Sequence, residues 1–86
     1  MSKEELRTCI ADAVVLLENY RSFGPMVDQG IKAFKRIDEC VADPTPEQKA
    51  EAKELIGELM KEMGPYQGYV PSVANALEKL KAWSED

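Results

Sequence analysis

Residues 25–42 read PMVDQGIKAFKRIDECVA, and the way this stretch starts, repeats and stops sets the fold of the whole chain. Val27, Gly30, Phe34, Ile37 and Val41 recur at steps of three and four, the spacing that lays side chains along one face of an α-helix. Lys32, Lys35, Arg36 and Glu39 fall outside that face. Gly24-Pro25 opens the stretch: glycine tolerates backbone that stops a preceding helix, and proline is pre-set for the first turn of the next. Asp43-Pro44-Thr45-Pro46 closes it. One amphipathic helix between two hard stops needs neighbours to cover its apolar side.

Those neighbours read the same way. Upstream, Leu6, Ile10, Ala13, Leu17 and Tyr20 form a helical stripe, widened by Cys9, Val14 and Leu16. Downstream, Thr45 is the expected N-cap of a third helix, with Pro46 at its first position and Gln48 three residues on. That spacing predicts a capping box, in which two side chains satisfy two orphan amides. Ala52, Leu55, Ile56, Leu59 and Met63 form the third stripe, and Gly64-Pro65 is expected to stop this helix as Gly24-Pro25 stops the first. A last stripe, Val73, Ala76, Leu77, Leu80 and Trp83, follows Pro71. Nothing alternates with a period of two for more than a few residues, so no strand is expected. Helices at about 3–22, 25–42, 46–63 and 71–83, joined by short loops, predict an all-α, antiparallel up-and-down four-helix bundle. At 86 residues the chain has room for a single domain, residues 1–86, with a modest core.

Composition excludes several activities. Without histidine there is no imidazole base, no Ser-His or Cys-His nucleophile and no histidine-ligated metal. Two cysteines cannot build a four-thiolate cluster. The five glycines form no phosphate-binding loop. A net charge of −5 disfavours nucleic acid. The longest apolar run, Ala13–Leu17, is too short for a membrane span or a signal peptide, so the expectation is a cytoplasmic protein. No enzyme, cofactor or metal site is expected.

Four features stand out against that background. Cys9 and Cys40 come level in a hairpin folded about Gly24-Pro25; reduced thiols are the expected state, and a disulfide would need Cα atoms within about 7 Å. Glu47, Glu51, Glu54, Glu58 and Glu62 follow one another at steps of 4, 3, 4 and 4, so all five share one ridge of the third helix. Lys49 and Lys53 sit on another flank. Three Glu-Glu pairs therefore stand at i,i+4 without a Glu-to-Lys pair at that spacing, an arrangement that costs a few tenths of a kcal/mol per pair. The loop Gly64–Pro71 carries Tyr66 and Tyr69, a residue type enriched at interfaces because it offers large contact area at little entropic cost. Val15 lies nearly opposite the first stripe, and Trp83 at the edge of the last.

These features point to a non-enzymatic interaction protein (an adaptor, inhibitor or small subunit). It would bind a protein partner of basic character through the glutamate ridge, the tyrosine loop or both. Self-association into a homo-oligomer is a further expectation. The competing reading is a small-molecule or lipid-type binder using the bundle interior, lined by Met26, Phe34, Met60, Met63 and Trp83.

Overall fold

The computed structural model describes residues 2–85, except the side chain of Gln67. Four α-helices are present among the described residues: α1 Lys3–Glu18, α2 Pro25–Ala42, α3 Pro46–Met63 and α4 Pro71–Glu85. Short 3-10 turns, Arg21–Phe23 and Gly64–Tyr69, carry the first and third connections. Each helix packs on its neighbours in sequence, and α1 also packs on α4, which closes the ring of an up-and-down four-helix bundle. Its extents are 35 × 20 × 18 Å.

The core is where the periodicity put it. Leu6, Ile10, Ala13, Leu17, Phe34, Ile37, Ile56, Leu59, Leu77 and Leu80 are all buried, and Phe34 is fully enclosed. Ile31 and Val70, outside the apolar stripes, are buried as well. Leu55, Tyr20 and Trp83 are half-buried at its margin. A Phe34→Ala change in such surroundings costs about 3–5 kcal/mol.

The helix ends depart from expectation at four places. The first helix stops at Glu18, not near residue 22. Asn19 and Tyr20 donate their amides three residues back, to Leu16 and Leu17, and the chain tightens into the 3-10 turn. Gly24 then takes φ +126° with ψ −179°, an extended mirror-image conformation that only glycine adopts cheaply. Gly64, by contrast, is right-handed helical (φ −48°, ψ −49°), so α3 runs on into the second 3-10 turn. The last helix extends to Glu85 rather than ending near 83.

The fourth departure concerns the capping box, of which only half is made. Thr45 Oγ1 accepts the Gln48 amide at 3.2 Å, but the Gln48 side chain turns to α2. The Thr45 amide donates instead to the Asp43 carbonyl, at 2.9 Å.

Polar contacts tie α1 to α2 along the first hairpin. Arg7 pairs with Asp38 through two bonds of 3.0 and 3.1 Å, and Lys3 Nζ donates to the Ala42 carbonyl at 3.0 Å. Cys9 and Cys40 stand on α1 and α2 of this hairpin. Both are free thiols. Cys9 Sγ accepts from Asn75 of α4 and Cys40 Sγ donates to Gln48 of α3, so each looks toward a different helix.

Candidate protein-interaction surfaces

All five ridge glutamates, Glu47, Glu51, Glu54, Glu58 and Glu62, are exposed on α3, but they are not equivalent. Arg36 reaches across from α2 and grips the Glu51 carboxylate with Nε and Nη2, the latter at 2.9 Å. Its Nη1 holds Glu39 at 3.0 Å, and Nη2 also donates to Gln48 Oε1 at 2.9 Å. The guanidinium keeps the Glu51 carboxyl below its ordinary value of 4.5, and Glu51 and Glu39 in turn push the Arg36 pKa further up. Burial raises the neighbouring Cys40 thiol, which stays protonated at neutral pH and bonds to Gln48 Oε1 at 3.2 Å. Glu51 is thus part of the α2–α3 seam. Among the described residues, Glu47, Glu54, Glu58 and Glu62 have no ion-pair partner.

On the far flank of α3 the Lys49 ammonium stands 5.3 Å from the centroid of the Trp83 ring, tying α3 to α4. Between α2 and α3, beyond the Arg36–Glu51 pair, the surface opens into a groove of about 350 Å³. Ala33, Leu55 and Leu59 line it, with Lys32, Glu58 and Glu62 at its edges.

Tyr66 and Tyr69 lie in the second 3-10 turn and are 46% and 73% exposed, while Val70 behind them is buried in the core. With three residues per turn, positions three apart eclipse, so the two tyrosines belong to one side of that turn. Phe23, on the first 3-10 turn, is 75% exposed, its ring 5.4 Å from that of Tyr20. Met26 follows at the start of α2, also exposed. In an up-and-down bundle the first and third connections share an end, so Phe23, Met26, Tyr66 and Tyr69 gather there. An ion pair of 3.2 Å between Arg21 and Asp28 flanks the group. The other exposed large hydrophobic side chain among the described residues, Val15, stands apart on α1.

Comparison with known proteins finds no match: no family model, no curated protein and no solved structure matches this chain.

Phe23 lies just past the helix expected at 3–22 and outside every apolar stripe, and Met26 is expected in the interior, so no local pattern marks either as surface. The signal was available in the parity of the connections, which brings loops one and three together. Of the proposed interior lining, Phe34 and Met63 are core residues, Met60 and Trp83 lie half-buried at the margin, and the groove opens at the surface. No group of three or more Cys, Asp or Glu among the described residues is placed to hold a metal ion. No described helix is long and apolar enough to cross a membrane.

Proposed function

We propose that this chain is a non-enzymatic interaction protein, an adaptor, inhibitor or small subunit, that docks a protein partner on the end of the bundle carrying both 3-10 turns. The observation behind this reading is that Phe23, Met26, Tyr66 and Tyr69, all exposed, lie on or beside the two connections that share that end, where exposed aromatic surface serves no purpose in the core. Glu47, Glu54, Glu58 and Glu62 of α3, which form no ion pair with any described residue, supply the electrostatics. They favour a partner with a basic surface and steer its approach, so binding weakens with added salt. The end face is bounded by extents of about 20 and 18 Å. A partner that also reaches down the side of the bundle meets the α3 glutamates as well.

The test compares capture of partners from native extract by three proteins. The Phe23→Ser/Tyr69→Ser variant should lose the partner that the parent and the Val15→Ser variant both retain. All three should melt alike, because exposed side chains away from the core change stability by about 0.5 kcal/mol or less. Retention of every partner by the double variant refutes the reading.

A further inference from the structure

The seam between α2 and α3 is closed at one end and open along the rest. At the closed end Arg36 crosses from α2 and lays its guanidinium on the Glu51 carboxylate. One turn toward the start of α2, Ala33 puts a methyl group where that long side chain would be, and the groove of about 350 Å³ opens over Leu55 and Leu59. Glu58 and Glu62 stand on its α3 edge with no ion pair to any described residue, and Lys32 on the α2 edge reaches neither. Carboxylates therefore outnumber ammonium groups at the open stretch.

We propose that this groove docks a basic amphipathic helix from a partner protein. The Arg36–Glu51 pair shows how: a cation coming from the α2 side satisfies an α3 carboxylate while its stem lies along the seam. The partner repeats that contact above, with lysine or arginine on Glu58 and Glu62 and with leucine-like side chains against Ala33 and Leu55. From Glu51 to Glu62 the seam runs eleven residues, about 16 Å, or three turns of a docked helix with anchors at i, i+4 and i+7. Charge disfavours a second copy of the chain, which would bring the same net −5 to an acidic edge. The inference rests on the proposed function for the premise of a protein partner drawn by the α3 glutamates, but it seats that partner in the α2–α3 groove rather than on the aromatic end.

The experiment titrates the full chain with a fluorescein-labelled peptide of about 14 residues, built of Leu and Lys in helical pattern, and follows anisotropy at low and high salt. A Leu/Glu peptide and an Ala/Lys peptide of the same pattern are the comparisons. The Leu/Lys peptide should bind, less tightly at high salt, and the other two should not. Glu58→Lys/Glu62→Lys and Ala33→Leu should each weaken binding by about tenfold or more with helix content unchanged. Asp12→Lys/Glu18→Lys, the same charge change on α1, should leave it intact. Equal weakening by the α1 variant would reduce the effect to net charge and overturn the proposal. So would unaltered binding to Ala33→Leu, or equal binding of the Leu/Glu peptide. Loss on Phe23→Ser/Tyr69→Ser instead would move the site to the aromatic end, which separates this proposal from the preceding one.

Discussion

Gly57 sits exposed in the middle of α3 with nothing within 4 Å of where a Cβ would stand. A glycine inside a helix loses more backbone entropy on folding than alanine and packs nothing in return. Gly57→Ala should therefore raise stability by about 1 kcal/mol, or about 5 °C in Tm for a chain of this size, measured by thermal denaturation. No gain would mean that this part of α3 is constrained by something other than propensity. Gly30 is the opposite case. A Cβ there would come 2.8 Å from the Met63 methyl, so its missing side chain makes room for the seam between α2 and α3. Its place on the apolar stripe was legible in the sequence; the reason for its size was not, because the atom that fills the space is 33 residues away.

The α2–α3 seam belongs to the scale of elements. Five glutamates in one row read as a single acidic ridge from helical periodicity alone, yet Arg36 takes Glu51 out of it. Wheel geometry reports which side chains share a face, but not which cation a neighbouring helix will deliver. Because the folded Glu51 carboxyl lies below its unfolded value of 4.5, the pair stabilises the fold above that value and stops doing so as pH falls through the folded value. Glu51→Gln should lower Tm at neutral pH, and the difference from the parent should vanish well below pH 4.5. A difference that persists unchanged in acid would assign the role of Glu51 to packing. The half-made capping box follows the same logic, since Gln48 was free to choose between the Thr45 amide and Arg36.

At the scale of the molecule, the direction of each helix decides what meets what. The rotation of each helix turns Cys9 toward Asn75 of α4 and Cys40 toward Gln48 of α3. Mild oxidation of the folded protein should give no intramolecular disulfide. A thiol reagent should modify half-buried Cys9 first and Cys40, which is buried and held as the thiol, only on unfolding. Equal reactivity of both in the native state would contradict this arrangement. The same up-and-down order collects Phe23, Met26, Tyr66 and Tyr69 on one end, a grouping that no local stretch of sequence announces.

Helix number, the apolar stripes and the stops at Gly24-Pro25 and Asp43–Pro46 were all legible in the chain, because each depends on interactions within a few residues. Exposure of the glutamate row followed from the same local rules. The partner of Arg36, the vacancy left by Ala33, the different partners of the two cysteines and the aromatic end were not legible. Each depends on the relative height and rotation of two packed helices. Helical periodicity carries no information about those quantities.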